Sequence, residues 1–200
     1  HGLGILRDLG LQFPAFEHRL DHEIDVAEAN IIVSGGRGIK GPENFALMPE
    51  RGRDKARHAE EPGDGPIQAF LSGKAKDHGL WIIGGSMPLA SPDPQRVYGG
   101  CLVFDNDGRM QALYRKIHLF DVDLAGSNES YRESHSMYPG EDPVLVETPF
   151  GKLGLTICYD LRFPELFRAM ADVGMEICVL PSAFTSATGR AHWEPLLRAR

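Results

Sequence analysis

An α/β fold is what this sequence predicts, and three observations predict it. From about residue 65 onward, helix-like and strand-like segments alternate with no long low-complexity linker between them. Two pairs of strand-like runs are joined by compact turn signals, one at Asn106-Asp107-Gly108 and one at "PFGK". Residues 151–181 then read strand, turn, helix, strand. At 200 residues and 42% hydrophobic, the chain is long and apolar enough to bury one core, so a single main domain is the economical assignment.

The elements follow in order. "GPIQAFLSGKAKDHG" spaces Ile67, Phe70, Leu71 and Ala75 along one helical face and stops at Gly79, a C-terminal cap. "LWIIGGS" is a buried strand. "YGGCLVFDNDGRMQALYRKIHLF" is a hairpin with Lys116 near the end of its second strand. "SNESYRESHSMYPGEDP" is polar, rich in turn formers, and reads as loop. "VLVETPFGKLGLTIC" is a second hairpin that Cys158 closes, Pro164 opens a helix running to about Gly174, and "EICVLP" is another buried strand. The final "HWEPLLRAR" reads as an amphipathic helix in progress, so the chain is expected to be incomplete there.

Bulk properties exclude several classes of function. A formal net charge of −7 argues against a general phosphate-backbone binder, which needs a basic face to displace counterions, so nucleic acid is not an expected partner. No apolar run approaches the roughly 20 residues of a spanning helix, and the N-terminus lacks the order of a secretory signal. A cytoplasmic protein without membrane contact is expected. Three cysteines without CxxC spacing suggest reduced thiols rather than a disulfide framework or a zinc site, and none of the eight histidines falls in an HxH or HExxH pattern. Neither metal nor cofactor is expected.

The chemistry concentrates at Cys158. A cysteine leaving a buried strand for a sharp turn sits at the rim of the sheet, where the next backbone N–H groups point outward together and can form an oxyanion hole. Cys101 and Cys178 lie inside apolar runs and read as packing residues. A thiol nucleophile needs a base or cation beside it, because an unperturbed thiol is only a few per cent ionised at neutral pH. Lys116, enclosed by "YRKIHLF", is a candidate cation, whereas Glu43 and Glu133 sit among turn residues and do not stand out from spacing alone. For His192 and Trp193, packing of the tryptophan, with His192 capping or pairing with Glu194, is preferred to a Cys–His couple.

At these residues the sequence resembles the nitrilase superfamily of carbon–nitrogen hydrolases. "PENFALM", "YRKIHLFDVD" and "GLTICYDLRFPELF" look like its glutamate, lysine and cysteine blocks in order, and "LPSAFTSATGRAHWEPLLRAR" extends the likeness, over about residues 42–200. The resemblance implies a four-layer α-β-β-α sandwich in which Glu43 is general base, Lys116 stabilises the oxyanion and Cys158 is nucleophile. It further implies that Glu133 orients substrate and lysine, that the Tyr159 backbone N–H completes the oxyanion hole, and that two sandwiches pair as a homodimer. "HLFDVDL", "SYRES", "PSAFTSATG" and "AHWE" are most similar to the Nit branch, whose members include deaminated glutathione amidase and omega-amidase. The implied substrate is a small amide carrying a carboxylate.

The front departs from that pattern. "NIIV" is separated from Glu43 by "SGGRGIKGP", so residues 1–41 form an atypical segment ahead of a 42–200 hydrolase domain, and the sandwich is expected to be incomplete at both ends. Residues 22–45 resemble the electron-transfer flavoprotein alpha subunit, which would imply FAD, although that family's later flavin-contact segments have no counterpart. Three readings result: an amidase, a non-catalytic interaction domain of the same fold, and, remotely, a flavin-binding electron carrier.

Overall fold

The computed structural model describes residues 31–34, 52–123, 130–184 and 186–200. Its first sheet comprises β1 (Ile31–Ser34), β2 (Trp81–Ala90), β3 (Val97–Phe104) and β4 (Met110–Arg115) in that spatial order. β1 is parallel to β2, and the remaining pairs are antiparallel. A second sheet holds β7 (Val144–Thr148), β8 (Gly151–Leu155) and β9 (Ile177–Val179), with β8 antiparallel to β7 and parallel to β9. Three helices complete the layers: α1 (Pro66–His78), α2 (Pro164–Asp172) and α3 (Ser186–Arg198).

The period-two alternation of the strands assigns each side chain to a layer. Ile83, Cys101, Val103 and Tyr114 of the first sheet meet Val146, Leu153, Leu155 and Val179 of the second in a shared core. On the far side of the first sheet, Ile82, Leu89, Leu102 and Phe104 pack against Leu71 and Ala75 of α1. On the far side of the second, Leu145 packs with Leu166, Phe167 and Met170 of α2 and with Trp193 and Leu196 of α3. Both sheets thus carry packed side chains on both faces, most completely along β2 and β3, which is why those strands read as apolar runs. The order is helix, sheet, sheet, helix, the α-β-β-α sandwich expected.

The helix boundaries have local causes. Gly79 takes a left-handed φ of 63° and closes α1 by donating to the carbonyls of Ala75 and Lys76. At the other end the buried Glu60 carboxylate accepts from the N–H groups of Ile67 (2.6 Å) and Gln68 (3.1 Å), satisfying donors that the helix itself cannot.

Three expectations need correction. The polar stretch 127–143 is not all loop: β6 (Ser130–Arg132) pairs with β5 (Asp121–Asp123), and the Arg132 guanidinium holds both Asp123 oxygens at 2.8 Å. β8 ends at Leu155 rather than at Cys158, which starts a 3-10 turn through Arg162. Cys178 is exposed rather than packed: it points to the opposite face from its neighbours Ile177 and Val179, which join the core between the sheets. Cys101, by contrast, is fully buried.

Candidate active site

The segment beyond β8 keeps pairing with the segment beyond β9. Thr156 donates to the Val179 carbonyl at 3.1 Å and Cys158 to the Pro181 carbonyl at 3.0 Å, so both chains leave the sheet side by side at their carboxyl ends. Parallel strand ends of this kind are where open α/β sheets bind ligands. There the backbone turns sharply, and Cys158 has a φ of 49°, the single positive value among the described non-glycine residues. A side chain held in the left-handed region is strained, and such strain collects at functional positions. The Cys158 thiol is half-buried, with Ala183 O 3.7 Å away. The N–H of Tyr159 donates to nothing among the described residues, which leaves it available at the mouth of the turn.

Lys116 arrives from the other sheet. Its N–H donates to Gly99 O (2.9 Å) and its carbonyl accepts from Gly140 N–H (2.8 Å), so its backbone is gripped on both sides just past β4. The residue is 3% exposed. Its ammonium donates to Glu133 Oε2 at 2.5 Å, and the same carboxylate oxygen accepts the Phe120 N–H at 2.7 Å. A buried cation requires such a counter-charge, because desolvation without one costs several kcal/mol.

Lys116, Glu133, Cys158 and Tyr159 all line one cavity of about 520 Å³. Its apolar wall includes Phe120, Ile157 and Phe184. Lys55, Arg132 and Arg162 also face it, so four cations and one carboxylate line the cavity among the described residues, against a negative net charge for the chain. Arg162 lies over the rings of Tyr159 (5.8 Å) and Phe184 (5.7 Å), and its Nη2 is 3.2 Å from His192 Nδ1. No carboxylate pairs with it among the described residues.

Sequence matches place residues 34–200 within the description "Carbon-nitrogen hydrolase". The chain belongs to the carbon-nitrogen hydrolase family. Within this family it is 46% identical over 168 residues to a deaminated glutathione amidase of Yersinia enterocolitica, a match covering 84% of this chain and 58% of that relative. It is 43% identical over 136 residues to omega-amidase NIT2-B of Xenopus laevis, covering 68% and 48% respectively. The solved structure of the C. elegans NitFhit protein superimposes with a TM-score of 0.69 at 33% identity, covering 85% of this chain and 40% of that one. The chain thus spans less than two thirds of the length of these relatives.

Of the five site residues expected of a carbon-nitrogen hydrolase, the structure brings Lys116, Glu133, Cys158 and Tyr159 together, while Glu43 lies outside the described residues. The flavoprotein likeness expected of residues 22–45 is not supported by these matches, which assign residues from 34 onward to the hydrolase family, and the structure describes that stretch only at Ile31–Ser34. His192 contacts Arg162 rather than Glu194, which pairs instead with Arg198, and Trp193 packs edge-on against Phe184 at 5.0 Å. Residue type and spacing alone do not single out Arg162 or Asp160. Arg162 gave no clear signal, because Glu165 three positions on offers an ordinary ion-pair partner, and only the structure shows that Glu165 pairs with Arg168 instead.

Proposed function

We propose that this chain carries the catalytic site of an amidase that hydrolyses the carbon–nitrogen bond of a small carboxylate-bearing amide through a Cys158 thioester. The observation that carries the reading is the placement of Cys158, on a positive-φ turn, in one cavity with the Lys116–Glu133 pair. In this reading the Glu43 carboxylate takes the Cys158 proton and Sγ attacks the amide carbon. The carbonyl oxygen becomes an oxyanion facing the Lys116 ammonium and the Tyr159 N–H. Collapse of the tetrahedral intermediate breaks the C–N bond, and the proton held by Glu43 passes to the departing ammonia or amine. Water, deprotonated by Glu43, then attacks the thioester, and the acid leaves as the thiol is regenerated. Glu133 keeps Lys116 in place rather than reacting.

Arg162 supports the substrate class. A guanidinium with no carboxylate partner among the described residues, over two aromatic rings in the cavity wall, suits a substrate carboxylate, for which its fork geometry gives paired hydrogen bonds. The relatives named deaminated glutathione amidase favour deaminated glutathione as the substrate, with omega-amidase action on α-keto acid amides as the alternative. Intact-mass measurement after incubation with a panel of such amides tests both points. An acyl adduct on Cys158, absent from Cys158→Ala, is expected and identifies the acyl group. Cys158-independent hydrolysis would overturn the reading.

A further inference from the structure

Asp160 is fully buried, two residues past the cysteine, and outside the cavity wall. Its Oδ2 accepts the Ile157 N–H and the Tyr114 hydroxyl, both at 2.7 Å. Its Oδ1 accepts the His118 N–H at 3.1 Å and faces His118 Nδ1 at 2.7 Å. Tyr114 Oη in turn accepts the Ile117 N–H at 3.2 Å. One carboxylate thus holds the residue before Cys158 with one bond and the segment 114–118, with Lys116 at its centre, with the others. The His118 ring also stacks on Phe163, at 3.7 Å between centroids and 9° between planes. These contacts cross from the second sheet's loop to the first sheet's strand end.

We propose that Asp160 and His118 form a positioning pair that sets the Cys158 turn against Lys116. The proposal rests on the amidase reading, because the relative placement of thiol and ammonium matters only if both meet the same carbonyl. A nucleophile and an oxyanion donor on separate elements lose their joint geometry with displacements of about 1 Å, and rates then fall by up to about 100-fold. Neither residue lines the cavity. Their effect passes through the turn.

Two variants of His118 separate hydrogen bonding from packing. His118→Phe keeps a ring to stack on Phe163 but removes the Nδ1 donor. His118→Asn restores an N–H donor near that position. With kcat normalised to titratable Cys158 thiol, His118→Phe should lose about tenfold or more in kcat with KM within about threefold, and His118→Asn should recover most of the loss. Alkylation of Cys158 by iodoacetamide, which needs no oxyanion contact, should stay within about threefold. Wild-type kcat in His118→Phe overturns the proposal, as does an equal loss of alkylation and turnover, which would mean that the turn has merely unfolded. A second measurement is independent of activity: hydrogen exchange at the bonded amides of Ile157, Cys158 and Asp160 should accelerate about tenfold or more in His118→Phe, although the substitution lies on another element. Unchanged exchange there also overturns it. Absence of Cys158-dependent turnover in the wild type counts against the amidase reading, and the exchange measurement still decides the positioning pair.

Discussion

Replacing Glu133 by Gln isolates a single charge. The oxygen that accepts from Lys116 Nζ also accepts from Phe120 N–H, so a glutamine carbonyl in that place can keep both hydrogen bonds and remove only the negative charge. The lysine side chain is 4% exposed and the glutamate 22%. Removing one partner of a buried ion pair costs about 3–5 kcal/mol. Partial exposure of the carboxylate and the retained hydrogen bonds favour the lower end, about 3 kcal/mol. For a chain of this size each kcal/mol moves Tm by about 2–4 °C, so a fall of about 6–12 °C is expected. On the proposed mechanism the ammonium, no longer held by a counter-charge, ceases to be a fixed donor to the oxyanion, and kcat should drop about 100-fold. Calorimetry and steady-state kinetics on the same preparation provide the assay. A variant with kcat within about threefold of wild type and an unmoved Tm would refute both the burial argument and the role assigned to the pair.

Other substitutions probe the remaining parts. Cys158→Ser should abolish turnover, by a factor of about 10³ or more, with circular dichroism and Tm nearly unchanged; undiminished turnover would place the nucleophile elsewhere. Arg162→Met should raise KM for amides carrying a carboxylate by about tenfold or more while leaving an uncharged amide such as propionamide nearly unaffected, and an equal loss on both would mean that Arg162 supports the turn rather than the ligand. Burial pushes the pKa of the Cys101 thiol up to about 12, well above the ordinary thiol value of 9.0. The folded state therefore keeps a proton that the unfolded chain releases, so this contribution to stability is complete below pH 9 and is lost as pH rises toward 12. Urea unfolding of Cys101→Ala should show a flatter decline above pH 9 than wild type, and parallel curves would assign the alkaline loss to other groups.

Residues that repeat or punctuate were legible in the sequence, whereas residues that act across the fold were not. Gly79 ends α1 and Asn106-Asp107-Gly108 turns the β3–β4 hairpin because each follows local backbone rules that need no tertiary partner. The apolar runs gave strands but not the packing of sheet against sheet, which came only with the family resemblance. Asp160 illustrates the limit. A carboxylate beside a cysteine reads as a solvated charge, yet three of its four donors, from Tyr114 and His118, lie more than 40 positions away, and only the fourth, from Ile157, is local. Glu133 was similarly bland among turn residues, because its partner Lys116 lies 17 positions back and across a ribbon that polar composition concealed. Cys158 drew attention through its place at the end of an apolar run, although the turn's positive φ could not be read from residue types.

The face-to-face arrangement of the sheets makes the site a gauge of the sandwich's thickness. Lys116 hangs from the edge of one sheet and Cys158 from the end of the other, and their neighbours Ile117 and Ile157 belong to the apolar layer between them. Packed sheets stand about 10 Å apart, a spacing set by the side chains that fill the gap. Trimming one methylene from that filling shifts the sheets by tenths of an ångström, which a core tolerates at about 1 kcal/mol. Thiol and ammonium, mounted on opposite walls, register the same shift directly. Conservative repacking of Val103, Leu153 or Leu155 should therefore erode turnover well before it erodes folding, making the hydrophobic interior a determinant of rate as much as of stability.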